Sequence, residues 1–211
     1  MERLVSILQN STNYQIDLFK HIISIIQNET NGSIYEDKYG VDDPNFINMV
    51  YRVIADHTRT MIFAIGDGAI PEATDRGYVL RRIIRRATRF VSKLNPDKNI
   101  LTRIVEKTID YLVNNHPELE SKRYHIISVV SNEEIKFAGV MTKGLNFFNK
   151  LIAKNPNVKT MDLFLLYTSY GFPIDIIRQL CLERNIIFDE KEYDCIMLEH
   201  IKKSKMGRQF K

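Results

Sequence analysis

Six arginines and no acidic residue occur in the segment RGYVLRRIIRRATRF, residues 76–90. A guanidinium group binds phosphate through two parallel hydrogen bonds, whereas an ammonium group acts as a point charge. A surface that neutralises several phosphates also gains affinity for a nucleic acid, because condensed counterions are released. The net charge of the chain is only +4, so this local concentration matters more than the total. The segment therefore predicts binding of a phosphate-rich polymer.

An α-helix over this segment separates its apolar side chains from its arginines. Arg81, Arg85 and Arg89 recur every four residues and would form a row along the helix axis. Like charges at this spacing repel by a few tenths of a kcal/mol per pair, so acids elsewhere in the fold or a polyanion must compensate them. Both explanations stay open at this point. The candidate phosphate-binding residues are Arg76, Arg81, Arg82, Arg85, Arg86 and Arg89.

Other residue types that carry chemistry form no pattern in this chain. Cys181 and Cys195 have no CxxC partner, and the five histidines lack metal-ligand spacing, so we expect no metal site. No nucleophile–base pair or glycine-rich phosphate loop is present. So few cysteines indicate a reducing compartment, and no apolar run reaches the roughly 18 residues of a membrane span. We therefore expect a cytoplasmic protein with no membrane partner.

Two pairs of ionisable residues have simpler interpretations. Asp56 and His57 favour a buried histidine with an acidic neighbour, and the alternative is a polar network that faces RNA or the core. Glu133 and Glu134 predict acids near a helix N-terminus, where they favour the helix dipole, in a helix that Ser131 would begin with a capping box. Neither pair predicts catalysis.

Apolar residues recur with helical periodicity along nearly the whole chain, which predicts an all-α fold. Asp43 and Pro44 are typical of a helix start, as cap and first helical residue. We expect one multi-helix domain or two packed helical subdomains, with a soft boundary near residues 115–130. The first subdomain, 1–115, would contain the arginine helix, and the second would be 116–211. The predicted helices cover 2–9, 16–27, 45–64, 76–94, 100–114, 131–152, 162–170, 175–184 and 190–205.

Several ordered blocks of the chain resemble the central region of the alanyl-tRNA synthetase family. YRVIADHTRT (51–60), GDGAIP (66–71) and the arginine segment carry the resemblance. ERLVSILQN (2–10), EEIKFAGVMTKGL (133–145) and LYTSYGFPIDI (166–176) extend it in the same order, so it covers essentially the whole chain. The resemblance implies the helical tRNA-recognition region of a ligase that joins alanine to its tRNA using ATP.

The resemblance also implies which parts of the ligase lie elsewhere. Arg3, in the ERL triplet, would occupy the position of the ATP-binding arginine in the third class II signature motif. ATP and Mg²⁺ are implied for the parent enzyme, whereas the first two class II motifs and the HxxxH pair of an editing domain do not occur here. We expect no catalytic residue, cofactor or activity in this chain alone.

The partner implied by the resemblance is the acceptor stem of alanine tRNA, and no DNA partner is expected. The shallow minor groove of A-form RNA exposes base edges, with phosphates on both sides. In most relatives an Asn before the RGYVLRR block and an Asp in an LYDTYGFP block read a G:U wobble pair there. The corresponding residues are Ala73 and Thr168. The candidate substitutes are Thr74, Asp75 and Ser169.

Three explanations of this departure stay open: substitution by those neighbours, an identity pair elsewhere in the tRNA, and relaxed recognition. Two rival functions also stay open. One is a free-standing RNA-binding protein derived from a synthetase, and the other is a non-catalytic helical interaction module whose arginines pair with acids.

Overall fold

The computed structural model describes residues 2–97, 99–155, 158–170, 172 and 174–208. Within these ranges the regular structure consists of nine α-helices and a short 3-10 helix at Gly40–Asp42, which confirms the all-α prediction. The helices are α1 (Glu2–Leu8), α2 (Asp17–Thr30), α3 (Ile47–Gly66), α4 (Asp75–Leu94), α5 (Ile100–Leu112), α6 (Glu118–Lys154), α7 (Thr160–Tyr170), α8 (Ile174–Glu183) and α9 (Glu190–Arg208). In the described part of the chain, no helix is both long and apolar enough to cross a membrane.

The chain forms two compact units, Met1–Phe137 and Ala138–Lys211. The division falls inside α6. The boundary expected between residues 115 and 116 falls in the short turn that connects α5 to α6.

The core of the first unit is built from one apolar face of each of α2, α3, α4 and α5. Three side chains of α6, Leu119, Ile126 and Val130, complete it. Helical phasing predicts the apolar face of α4 correctly, although Ile83 is only partly buried. The buried residues of α4 are Leu80, Ile84, Ala87, Phe90 and Val91.

The start of α3 uses the predicted acid in a slightly different way. The Asp43 carboxylate accepts hydrogen bonds from the backbone amides of Asn48 (3.1 Å) and Met49 (2.9 Å). The helix begins only at Ile47, so Pro44 precedes its first turn. Burial opposes ionisation of Asp43, but these amide hydrogen bonds, together with the Asn48 side chain and the charge of Arg52, outweigh it and hold the pKa of the carboxyl below its usual value.

The predicted start of a helix at Ser131 is wrong. Helix α6 begins at Glu118 and continues without interruption through Ser131 to Lys154. The first turns of α6 are mostly polar, so the apolar periodicity of a helix is weak there. Leu119, Ile126 and Val130 nevertheless occur at helical spacing and are buried. A serine followed three residues later by glutamate has no capping role here, because Glu134 has a partner on another helix, described below.

The second unit consists of α7, α8, α9 and the C-terminal part of α6. Phe172 is completely buried and packs directly on Gly144 of α6, where a Cβ atom would overlap the phenyl ring. Glycine at this position therefore allows the segment after α7 to lie against α6. Cys181 is buried, and burial raises the pKa of its thiol to about 11, so it behaves as an apolar core residue.

Candidate nucleic-acid interface

The arginines of α4 lie in two different environments. Arg76 and Arg82 are exposed, whereas the other four are partly buried. The helix that carries them is fixed to the first unit by its buried apolar face. Whether an arginine can reach a ligand therefore depends on what surrounds its guanidinium group.

Arg81 and Arg85 face a buried acid. The Nε atom of Arg85 donates a hydrogen bond to Oε1 of Glu133 at 2.7 Å, and Nε of Arg81 lies 3.6 Å from the same oxygen. The Glu133 side chain is 4% exposed, so water contributes little to its solvation. The Arg85 guanidinium also lies 5.3 Å from the centroid of the Phe137 ring, within cation–π range. An acid elsewhere in the fold thus compensates this part of the arginine row.

Arg81 has a second role at the loop before α4, residues 67–74. Its Nη2 atom donates a hydrogen bond to the carbonyl oxygen of Pro71 at 3.1 Å. The loop also approaches the first turn of α4 at Gly77, where a Cβ atom would lie 2.6 Å from the Ile70 oxygen and 2.8 Å from the Glu72 nitrogen. Arginine and glycine together fix the loop against the helix.

Arg76 and Arg82 make no hydrogen bond or ion pair with any residue in the described part of the chain. Arg86 and Arg89 are partly buried, and the Arg86 guanidinium lies 5.6 Å from the centroid of the Phe90 ring. Arg82 lies on the side of α4 that faces away from its buried residues, called here the exposed side of α4, and Arg76 is exposed in the first turn, so both can present guanidinium groups to phosphate.

Glu133 and Glu134 do not lie near the N-terminus of their own helix, contrary to the sequence interpretation. Both are buried within α6. The Glu134 carboxylate accepts hydrogen bonds from the amides of Leu101 (3.2 Å) and Thr102 (3.0 Å) and from the Thr102 hydroxyl (2.6 Å). It therefore caps α5 from another helix, since Asn99 at the N-cap makes no side-chain capping bond.

A signal for these two acids does exist in the sequence. Ile126, Val130 and Phe137 are spaced to share one face of a continuous helix, and Glu133 and Glu134 fall on that same face. Acids on an apolar face predict buried partners. The signal is visible only if the helix is recognised as beginning before Ser131.

The candidate recognition residues lie in two separate units. Ala73 and Thr74 in the loop, and Asp75 at the start of α4, are exposed in the first unit. Thr168 and Ser169 are exposed on α7 in the second unit, where the Thr168 hydroxyl donates to the Phe164 carbonyl at 3.3 Å. Each set is accessible within its own unit.

The remaining sequence candidates lie on α1 and α3. Arg3 is exposed on α1. The residue before it, Glu2, forms an ion pair with Arg59 of α3. His57 is 16% exposed, and its Nδ1 lies 3.6 Å from Oδ2 of Asp56, whose pKa is lowered chiefly by this contact. This agrees with a histidine that has an acidic neighbour. Among the described residues, no three His, Cys, Asp or Glu side chains come together as a metal site would.

The whole chain, residues 1–211, matches the family model described as tRNA synthetases class II (A). It is 39% identical over 198 residues to the cytoplasmic alanine–tRNA ligase of Drosophila melanogaster, covering 92% of this chain and 20% of that protein. The cytoplasmic alanine–tRNA ligase of Dictyostelium discoideum is 41% identical over 199 residues, covering 92% and 21%. For the alanine–tRNA ligase of Staphylococcus epidermidis the identity is 36% over 214 residues, covering 99% and 24%.

The chain thus spans between a fifth and a quarter of the length of these relatives, which come from an insect, an amoeba and a bacterium. Because the family model covers every residue and these three relatives are alanine–tRNA ligases, the chain belongs to the alanyl-tRNA synthetase family of class II tRNA synthetases.

Proposed function

We propose that this chain is the tRNA-recognition part of an alanyl-tRNA synthetase and holds the acceptor stem of alanine tRNA. The observation that carries the proposal is that Arg82, on the exposed side of α4, and Arg76, in its first turn, have no partner within the described residues. The opposite side of the same helix is fixed in the core. A rigid helix with available guanidinium groups suits a ligand whose phosphates have fixed spacing.

Phosphate contacts and base contacts would come from different residues. The arginines of α4 would position the stem on its phosphates, which carry no sequence information. Thr74 and Asp75 lie next to Arg76, and so they offer polar groups beside the phosphate-binding side chains. Thr168 and Ser169 of the second unit are the other candidates for reading a base pair in the shallow groove.

In the complete ligase this region would hold the acceptor end while alanine is transferred from an ATP-derived adenylate. ATP and Mg²⁺ would be bound elsewhere in the enzyme, with Arg3 near the ATP phosphates. Holding the reacting groups in place lowers the barrier by several kcal/mol in favourable cases. The cytoplasm is the proposed compartment, in agreement with the names of the insect and amoeba relatives. The isolated chain should form no alanyl-adenylate.

The proposal can be tested by fluorescence anisotropy with a labelled hairpin of the alanine tRNA acceptor stem, titrated at several salt concentrations. We expect binding at low salt that weakens steeply as salt rises, because several phosphates are neutralised. A DNA hairpin of the same sequence is the matched control and should bind more weakly, since it lacks 2′-hydroxyl groups and A-form geometry. Absence of RNA binding at low salt contradicts the proposal.

One observation favours the rival in which the arginines serve structure. Arg81 and Arg85 face Glu133, as expected for an interaction module whose basic residues pair internally. This rival predicts no RNA binding at any salt concentration. It also predicts that removing Arg82 affects neither stability nor RNA affinity.

A further inference from the structure

The loop of residues 67–74 is held by a chain of contacts that begins on α6. Glu133 faces Arg81, and Arg81 donates to the Pro71 carbonyl in the loop. Within the described residues Arg81 makes no hydrogen bond or ion pair other than these two contacts. The side chain of Arg81 thus links a buried acid of α6 to the backbone that carries Ala73 and Thr74.

Glu133 is suited to orient Arg81. Its carboxylate is buried and shares Oε1 between Arg81 and Arg85, so both guanidinium groups are attracted to one fixed point. A long arginine side chain loses considerable rotamer entropy when it is held in a single conformation. A buried negative charge at its Nε atom offsets that loss and directs the remaining donors towards the loop.

We infer that Glu133 is a positioning residue for acceptor-stem recognition, because it orients Arg81 and thereby fixes the loop that carries Ala73 and Thr74. The inference rests on the proposed function. Glu133 itself is buried, so the role inferred for it is an indirect one. Ala73 has no polar side chain, so readout from this loop falls to Thr74, to Asp75 beside it and to backbone groups. Backbone groups of the loop can contact a base pair only where the loop holds them. Glu133 therefore affects recognition by fixing the position of the loop.

Hydrogen exchange measured by mass spectrometry on a peptide covering residues 68–76 tests the link. Glu133→Gln keeps the shape of the side chain and removes its charge. Arg81→Lys keeps the positive charge but cannot span Glu133 and the Pro71 carbonyl together. Each single variant should raise the exchange rate of the loop amides about tenfold, because Glu133→Gln removes the ion pair that orients Arg81 and Arg81→Lys removes the hydrogen bond to the Pro71 carbonyl. The double variant should add little, since both changes break one link.

Glu134→Gln provides the matched control. Glu134 is the adjacent buried acid of the same helix, but its hydrogen bonds go to α5. This variant should change exchange at the start of α5 and leave the loop unchanged. Loop exchange that stays at the wild-type rate in Glu133→Gln, or rises equally in Glu134→Gln, overturns the inference. Arg81→Lys decides the question if Glu133→Gln fails to fold, as judged by circular dichroism.

A second measurement separates this inference from the proposed function. Two acceptor-stem hairpins that differ only in a G:U or a G:C pair are bound to the wild-type chain and to Glu133→Gln. We expect the wild type to prefer one hairpin and the variant to lose most of that preference. Equal wild-type affinities contradict the role in recognition. If neither hairpin binds, the proposed function fails, and loop exchange still decides whether Glu133 positions the loop.

Discussion

The two sides of α4 carry the same residue type in different roles. Arg81 and Arg85 are directed to Glu133, whose side chain is only 4% exposed. Arg76 and Arg82 are exposed and have no hydrogen-bond or ion-pair partner in the described part of the chain. Six arginines within 15 residues identify a basic helix, but the tertiary partner decides which guanidinium groups remain available to a ligand.

The largest expected effect is a difference in stability between the two sides. Arg85→Met should lower the free energy of unfolding by about 2–3 kcal/mol, because it leaves Glu133 buried with weaker compensation. Arg82→Met removes the same charge from the exposed side and should change stability by less than about 0.5 kcal/mol. Urea unfolding of both variants measures the difference. Equal losses would mean that the two sides are not distinct.

Gly77→Ala tests whether the loop is closely packed on α4. A Cβ at this position would approach loop backbone atoms of Ile70 and Glu72, which can move only if the loop moves. We expect a loss of about 1–3 kcal/mol of stability. Alanine normally stabilises a helix by about 1 kcal/mol relative to glycine, so the predicted sign is reversed.

Gly139→Ala on α6 is the matched control for that substitution. Nothing lies within 4 Å of a Cβ atom built at Gly139, so this change should stabilise the chain or leave it unaffected. Thermal unfolding of the two variants provides the comparison. A stabilising Gly77→Ala would show that the loop is not held against the helix.

A smaller effect distinguishes the two adjacent acids of α6. Glu134→Gln should cost about 1–2 kcal/mol, because the charged cap of α5 is lost while one amide oxygen can still accept a hydrogen bond. Faster exchange should appear in the amides of Leu101 and Thr102. If the amides of α5 stay protected, the capping role assigned to Glu134 is wrong.

Lowering the pH should destabilise the start of α3. The loss should be comparable to, or smaller than, the cost of Glu134→Gln. The pKa of Asp43 is lower in the folded state, so its contribution to stability is present above its unfolded pKa and is lost as pH falls through the folded value. Asp43→Asn should cost about 1 kcal/mol at neutral pH and reduce the stability difference between neutral and acidic pH. Denaturation series at both pH values test this, and an unchanged pH dependence would contradict it.

The sequence predicts those features that depend on neighbours along the chain. Apolar spacing identifies most of the helices and the buried face of α4, and the predicted acid Asp43 binds amides in the first turn of α3, although that helix begins later than expected, at Ile47. It does not predict the partner of Arg85, because Glu133 lies 48 residues away and only the packing of α6 brings it close. The sequence also does not predict that the loop packs closely on Gly77, because this contact depends on how the chain turns between α3 and α4.

The candidate recognition residues are not settled by their local sequence. Ala73 and Thr168 stand where the family resemblance implies an Asn and an Asp, and their neighbours in the sequence do not show which groups, if any, take over that role. The structure adds that both positions are exposed and that the loop of Ala73 is held by Arg81.

The most direct test of the account is the salt dependence of acceptor-stem binding by Arg82→Gln. Lys20→Gln removes an exposed positive charge from α2 and serves as the control. If the exposed side of α4 binds phosphate, Arg82→Gln should reduce the slope of log affinity against log salt by about 1, and Lys20→Gln should leave it unchanged. Identical slopes for the wild type and Arg82→Gln would contradict the central claim that this side of α4 holds the RNA.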